Sequence, residues 1–187
     1  MPARPVIETA RLALREMSQG DLDFVAAMLR HPEVMRYYPK RYDRDEAVVW
    51  IERQRDRYIE FGYGFWLAVD RESGRPIGQI GLTQPRVEGV PEDDIGYIIH
   101  RPYWRMGYAT EGAAAVRDYT FEVLRRPRVV CLIRPENGPS QGVATKIGLA
   151  REEGRVVELA GFDHWVYAAS RRQAIPPAGS GRGAGDP

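Results

Sequence analysis

The pattern with the clearest chemical meaning in the sequence is the run WRMGYATE at residues 104–111. It lies between an apolar, strand-like run and a run with helical periodicity. Where a strand turns through Gly into a helix, the first helical N–H groups have no partner within the helix, and the helix dipole favours negative charge there. No Ser, Thr, Asp or Asn stands between Trp104 and Tyr108 to cap these donors. The turn therefore predicts a phosphate-binding site, and the alternative is that water and Thr110 satisfy these donors.

Two familiar phosphate motifs do not fit this turn. Its spacing matches neither G-x-G-x-x-G nor G-x-x-x-x-G-K-[ST]. Gly107 and Gly112 have the separation of the second motif, but Ala113 stands where that motif requires Lys. We therefore do not expect a dinucleotide or a hydrolysable triphosphate at this position.

The composition indicates one globular domain without a global charge bias. The chain has 187 residues, is 43% hydrophobic, and carries a net charge of +1 from 27 basic and 26 acidic side chains. A chain of this length buries roughly 70% of its unfolded surface. We expect a single domain over residues 1–170 and no nucleic-acid or membrane partner. The segment 171–187 is rich in Gly, Pro and Ala and is expected to be a disordered tail.

Cysteine usage and hydropathy bear on the compartment. The single cysteine, Cys131, excludes an internal disulfide and fits a reducing environment. Its apolar neighbours predict a small buried side chain. The N-terminus has no apolar signal core, and no run approaches the ~18 apolar residues of a membrane helix. We expect a cytoplasmic protein.

Hydrophobic periodicity predicts how these residues are positioned. The predicted helices span residues 22–29, 44–61, 111–124 and 140–147, and the predicted strands span residues 11–17, 65–70, 77–83, 95–100, 129–133, 151–159 and 162–169. Strands and helices that alternate in this way predict an α/β fold with a mixed sheet of about seven strands and helices on both faces.

Three motifs, taken together and in order, resemble one known family. They are DIGYII at residues 94–99, YWRMGYATE at residues 103–111 and NGPS at residues 137–140. They resemble the GNAT N-acetyltransferase superfamily and, more narrowly, its branch of ribosomal-protein N-terminal acetyltransferases. The resemblance covers residues 8–170. It implies a GNAT-like fold and direct transfer of an acetyl group from acetyl-CoA to a primary amine, on either a protein N-terminus or a small molecule.

The resemblance implies that acetyl-CoA, as cosubstrate, binds at the predicted phosphate turn. The pyrophosphate would rest on N–H groups of the turn, and the pantetheine arm would pair with the preceding strand. That strand must then splay from the strand at 129–133. Arg105 stands where the resembled branch often has Gly. We expect its cation to contact the phosphates, and the alternative is a solvated surface arginine. The residues implied in cofactor binding are Ile98, Ile99, Arg105, Met106, Gly107, Tyr108, Ala109, Thr110, Asn137 and Ser140.

Acetyl transfer requires a deprotonated amine, donors that stabilise the carbonyl oxygen as it becomes negative, and a proton for the leaving thiolate. Backbone N–H groups near Ile98 and Ile99 are candidates for stabilising the oxygen. By resemblance, Ser140 would reach the sulfur as general acid, and Asn137 would hold the pantetheine amide. The alternative for Ser140 is a helix cap that follows Pro139.

The general base has three candidates. Glu158 resembles a glutamate proposed as base in that branch, and the alternative is a polar residue of a half-exposed strand. Asp94 would act through water, and His100 is the third candidate. We expect no metal, because the reaction needs none and the histidines lack ligand spacing.

We expect the amine acceptor to bind between residues 31–42, the loop 85–91 and the final hairpin. Apolar walls would come from Met35, Tyr37, Tyr38 and Trp165, and carboxylates that attract a cationic amine would come from Glu88, Glu92, Asp93, Asp94 and Glu158. The protein is expected to be a monomer or a homodimer. The alternative function is a non-catalytic acyl-CoA-binding module.

Overall fold

The computed structural model describes residues 4–171. Its strands are β1 (Ile7–Glu8), β2 (Leu12–Arg15), β3 (Phe65–Asp70), β4 (Pro76–Thr83), β5 (Arg86–Val87), β6 (Val90–Pro91), β7 (Asp94–Ile99), β8 (Arg128–Ile133), β9 (Ala150–Leu159) and β10 (Phe162–Ser170). Its α-helices are α1 (Leu22–Arg30), α2 (Arg44–Phe61), α3 (Tyr108–Glu122) and α4 (Gly138–Lys146).

Eight strands form one mixed sheet in the order β1-β2-β3-β4-β7-β8-β10-β9. All neighbours in this sheet are antiparallel except β7 and β8, which are parallel. Strands β5 and β6 form a separate two-stranded hairpin. The sheet therefore consists of two antiparallel halves that meet at β7 and β8.

Helices cover both faces of the sheet, which confirms the predicted layering. Helices α3 and α4 pack on one face, and α1 and α2 pack on the other. Strand β7 contributes to both cores, because successive side chains of a strand point to opposite faces. Ile95 and Ile99 pack in the core under α3 and α4, whereas Ile98 packs in the core under α1 and α2. Cys131 is buried in the α3–α4 core, as predicted.

Local sequence signals set the ends of α2, which spans the predicted residues. Asp43 accepts a hydrogen bond from Glu46 N at 2.8 Å, and the Glu46 carboxylate accepts one from Asp43 N at 2.9 Å. This reciprocal capping box begins the helix. Gly62 ends it in the left-handed conformation, with φ of 78°.

The structure corrects the predicted strand number. The main sheet has eight strands rather than about seven, because β1 also pairs with β2, and the loop predicted at 85–91 contains the β5–β6 hairpin. Strands β1, β5 and β6 have two residues each, too few to show a hydrophobic period. Helix α3 begins at Tyr108 rather than Glu111. The predicted tail lies outside the described residues, except for Arg171.

Candidate active site

A cleft opens where β7 and β8 separate. The two parallel strands are paired only at Asp94 and Val130. Beyond this pair, Leu132 N donates to the Asp94 carboxylate at 3.0 Å rather than to the β7 backbone. The resulting cleft has a volume of about 760 Å³ and reaches the N-terminus of α3. The splay that a pantetheine arm requires is present in the sheet.

The hydrogen-bond pattern of β7 determines which backbone groups face this cleft. His100 N donates to Ile77 O at 2.9 Å, and Ile98 lies opposite Gln79 in the same antiparallel ladder. Hydrogen-bonded pairs alternate along such a ladder, so Ile98 points its N–H and C=O to β4, while Tyr97 and Ile99 point theirs to the cleft. The Ile99 carbonyl accepts from the Trp104 indole at 2.7 Å. Of the predicted pair, Ile99 therefore offers its N–H to the cleft and Ile98 contributes only its side chain.

The N-terminus of α3 has the free donors that the sequence predicted. Gly107 is the N-cap, with φ of 81°, and no side chain caps the helix. The first helical hydrogen bond runs from Glu111 N to Gly107 O at 3.0 Å. Tyr108, Ala109 and Thr110 consequently have no acceptor within the helix for their N–H groups.

Arg105 also adopts positive φ, at 62°. A non-glycine residue in this region stores backbone strain, and such strain clusters at ligand sites. Its side chain lines the cleft beside Gly107. Met106 does not line the cleft; its side chain is exposed and its carbonyl accepts from Arg11 Nη1 at 2.9 Å.

The N-terminal strands hold this turn in place. Glu111 accepts from Thr9 Oγ1 at 2.6 Å, from Arg11 N at 2.8 Å and from Arg11 Nε at 2.6 Å. The Arg11 guanidinium also lies 4.5 Å from the centre of the Tyr108 ring. No sequence pattern indicated these contacts, because they join residues about a hundred positions apart.

Asn137, not Ser140, caps α4. The Asn137 side chain accepts from Ser140 N at 3.2 Å. Tyr97 OH donates to Ser140 O at 2.8 Å and ties this helix end to β7. The Ser140 hydroxyl is thus not used as the cap, and Ser140 and Asn137 both line the cleft. Tyr97 was not predicted, although its alternation with Ile95 and Ile99 placed it on the α3–α4 face.

The three candidate bases lie in different places. Asp94 lies at the single β7–β8 pair and does not line the cleft, and its carboxylate accepts from Leu132 N and from Thr83 Oγ1 at 3.3 Å. Burial raises the pKa of Asp94 to about 6, against the effect of these two hydrogen bonds. His100 packs instead against His31 and Phe24, with ring centres 5.9 and 5.7 Å away.

Glu158 is exposed on β9, the edge strand, and does not line the cleft. The structure therefore does not bring Glu158 together with Ser140 and Asn137. It also places no group of three or more His, Cys, Asp and Glu side chains within residues 4–171 so that they could hold a metal ion.

The family can now be identified. The sequence profile of the Acetyltransferase (GNAT) domain matches residues 11–150. The chain belongs to the GNAT acetyltransferase family. It is an acyltransferase, which favours an enzyme over the alternative of a non-catalytic binding module. The resemblance of the three motifs to the GNAT superfamily is confirmed.

Relatives of this GNAT acetyltransferase occur in Bacillus subtilis (strain 168). The chain is 33% identical to the protein YkkB over 150 residues, which covers 80% of this chain and 87% of the relative. It is 29% identical to the uncharacterized N-acetyltransferase YoaA over 150 residues, which covers 79% of this chain and 84% of that protein.

Solved structures share the fold of the acetyltransferase. An acetyltransferase from Agrobacterium tumefaciens str. C58 is 27% identical, with a TM-score of 0.77 over 90% of this chain and 96% of the other. Spermidine N-acetyltransferase from Vibrio cholerae, in complex with CoA and spermine, has a TM-score of 0.70 at 17% identity, over 87% and 97% of the two chains. Ribosomal-protein-S5-alanine acetyltransferase from Vibrio fischeri has a TM-score of 0.69 at 16% identity, over 90% and 98%.

The α1–α2 connection (residues 31–43) forms the wall of the acetyltransferase cleft on the face of the sheet that carries α1 and α2. Tyr37 and Tyr38 line it, as predicted for apolar walls. Met35 is instead 2% exposed in the core under α1 and α2. Trp165 packs against the other core and carries the Arg151 guanidinium 3.5 Å from its ring centre. Neither Met35 nor Trp165 lines the cleft.

The acids predicted to attract a cationic amine are engaged elsewhere. Glu88 and Glu92 bind Arg155, each at 3.3 Å, and Glu92 also binds Arg128 at 3.3 Å. Asp93 accepts from Gln84 Nε2 at 3.0 Å. None of these acids lines the cleft of the acetyltransferase. Within residues 4–171, no helix is long and apolar enough to cross a membrane.

Proposed function

We propose that the protein transfers the acetyl group of acetyl-CoA to a primary amine. The observation that carries the proposal is the continuous cleft that runs from Tyr97 on β7, beyond the single β7–β8 pair, to the uncapped N-terminus of α3. An extended thiol carrier with a diphosphate fits this arrangement, because the backbone donors and the free helix end face one space.

On this proposal, the phosphates accept hydrogen bonds from the turn before α3, and Arg105 adds a cation. The residues assigned to this task are Arg105, Met106, Gly107, Tyr108, Ala109 and Thr110, with Met106 contributing backbone only. The N–H of Ile99 pairs with the pantetheine arm in the manner of an added strand, with the Ile98 side chain and Asn137 beside it.

The amine nitrogen attacks the thioester carbon, so that an N–C bond forms and the C–S bond breaks. A backbone N–H of β7 that faces the cleft stabilises the oxyanion. Ser140 gives its hydroxyl proton to the leaving thiolate and regains one from solvent. The amine loses its proton through water to the Asp94 carboxylate. We favour Asp94 over Glu158 and His100 as the base because its charge acts on Tyr38 and Tyr97, which both line the cleft.

Calorimetric titration with CoA tests the cofactor site. Gly107→Val should weaken CoA binding at least tenfold, because valine strains a residue at φ 81° and its Cβ would lie about 3.3 Å from Arg11 Nη2. Gly154→Val is the matched control: Gly154 has φ of 76° in β9, at the edge of the sheet, with nothing within 4 Å of an added Cβ. Equal CoA affinity in all three proteins would contradict the proposed site.

Arg105→Gly tests the same site without destabilising the fold, in case Gly107→Val misfolds. Glycine relieves the positive φ and removes the cation, so this variant should unfold at a higher temperature and yet bind CoA more weakly. Release of free thiol from acetyl-CoA, followed across a panel of amines, then tests the transfer. No release with any amine would refute an amine acceptor.

A further inference from the structure

The α1–α2 connection presents an arginine to the cleft without a carboxylate partner. Arg36 lines the cleft, bonds to Tyr37 OH, and lies with its guanidinium carbon 4.4 Å from the centre of the Tyr37 ring. None of the ion pairs within residues 4–171 involves Arg36. Stacking holds the guanidinium plane but leaves donors free for a planar anion.

The other cations of the cleft are accounted for. Arg105 belongs to the turn before α3, and Lys146 is the last residue of α4, both on the face proposed for the cofactor. Arg101 pairs with Glu33 at 2.7 Å. Arg36 therefore stands apart, on the wall that also carries Tyr37 and Tyr38.

The same wall lacks a free carboxylate. Among the residues that line the cleft, all within the described part of the chain, Glu33 is the sole acid, and it is neutralised by Arg101. A polycation such as a polyamine would meet Arg36 and no unpaired acid there. Like charge at a binding surface disfavours such a partner.

We propose that the acceptor is an amino-acid-like molecule: a primary amine that also carries a carboxylate and an apolar or aromatic body. The Arg36 guanidinium binds the carboxylate, and the rings of Tyr37 and Tyr38 contact the body. This inference rests on the proposed function, since it names the substrate class of the same cleft.

Matched pairs of amines test this substrate class. Each pair consists of an amino acid and the amine left by its decarboxylation: phenylalanine with phenethylamine, tryptophan with tryptamine, and lysine with cadaverine. Thiol release from acetyl-CoA should give a higher kcat/KM for the amino acid of a pair. Spermidine and a peptide with a free N-terminus and an acidic second residue complete the panel.

Arg36→Gln separates carboxylate recognition from cofactor binding. The variant should lower the preference for amino acid over decarboxylated amine about tenfold, the loss expected for one charge-assisted hydrogen bond. The KM for acetyl-CoA should not change. Arg41→Gln, an exposed cation of the same connection outside the cleft lining, is the matched control and should leave the preference intact.

Three outcomes would overturn this inference without touching the proposed function: faster turnover of the decarboxylated amines, faster turnover of spermidine, or turnover of the peptide and no free amino acid. An Arg36→Gln variant with unchanged preference would also overturn it. Absence of thiol release with every amine would instead refute the proposed function itself.

Discussion

Ser140 lies at the third position of α4, yet its hydroxyl is not the cap of that helix. Asn137 takes the capping role, and Tyr97 binds the Ser140 carbonyl. Backbone contacts thus orient Ser140 from two sides, and Ser140 lines the cleft. Such positioning suits a proton donor, because little reorganisation is needed when the thiolate leaves.

The variant Ser140→Ala should lower kcat about a hundredfold, the contribution of a positioned general acid, with little change in CoA affinity. Stopped assays with acetyl-CoA and calorimetry with CoA measure the two quantities. Thr145→Ala is the control on the same helix, since Thr145 is exposed and its hydroxyl bonds to Gln141 O at 3.0 Å. Normal turnover by Ser140→Ala would show that Ser140 lines the cleft without acting as the general acid.

Asp94 has the pKa that a base near neutral pH requires. With that pKa at about 6, its carboxylate is mostly ionised at pH 7. The kcat/KM profile should therefore rise through pH 6 and level off above it. In Asp94→Asn this rise should disappear and the plateau should fall at least a hundredfold. Glu158→Gln should keep the rise; if it alone loses the rise, Glu158 is the base.

The sequence predicted those site residues whose role depends on neighbours in the chain. An uncapped turn at Gly107 can be read from the absence of capping residues within a few positions. The partners of Glu88 and Glu92 cannot, because Arg128 and Arg155 come from other strands. The predicted acidic surface for a cationic amine is therefore largely neutralised by ion pairs. That Arg36 lines the cleft without a carboxylate partner could be recognised only from the structure.

Helix α3 provides the free N–H donors of the proposed cofactor site, and residues beside strands β1 and β2 hold its first turn. Glu111 accepts three hydrogen bonds from Thr9 and Arg11. Burial alone would raise the pKa of Glu111, but these bonds outweigh it and lower the pKa. A carboxylate in the first turn also favours the helix dipole.

Glu111→Gln should lower the free energy of unfolding by about 1–2 kcal/mol, because it weakens the charge-assisted bonds to Arg11. CoA binding should weaken as well, since the turn loses its support. Thermal unfolding and calorimetry measure both effects. Glu122→Gln is the control at the opposite end of α3, where an acid opposes the dipole and its loss should not destabilise. Equal unfolding temperatures for the two variants would contradict this account.

Elements with a full hydrophobic period were predicted closely, and those without one were missed. Helix α2 and β3 have the predicted bounds, since each offers a period or alternation over several residues. Strand β1 and the β5–β6 hairpin depend on a partner strand rather than on their own pattern. The start of α3 was placed late because apolar periodicity begins only after its first turn.

At the scale of the whole molecule, the two antiparallel halves of the sheet come apart where the cleft forms, and ionisable groups lie near that boundary. Asp94 lies where β7 begins and His100 directly after β7 ends. Burial lowers the pKa of His100, and the neighbouring His31 lowers it further. Burial raises that of Asp94. Acidification therefore acts on stability with opposite signs at the two ends of one strand.

Below pH 6.5 the unfolded chain takes up a proton at His100 that the folded protein resists, so the free energy of unfolding falls as the pH drops. Asp94 does the reverse: between pH 6 and 3.8 the folded protein holds the proton more tightly, and acidification adds stability. Urea titrations from pH 7.5 to 4.5 should thus show a shallower decline for His100→Gln and a steeper decline for Asp94→Asn than for the wild type. Slopes that changed in the same direction would contradict burial as the cause of at least one shift, since one histidine and one carboxylate buried in apolar surroundings must respond to protons with opposite sign.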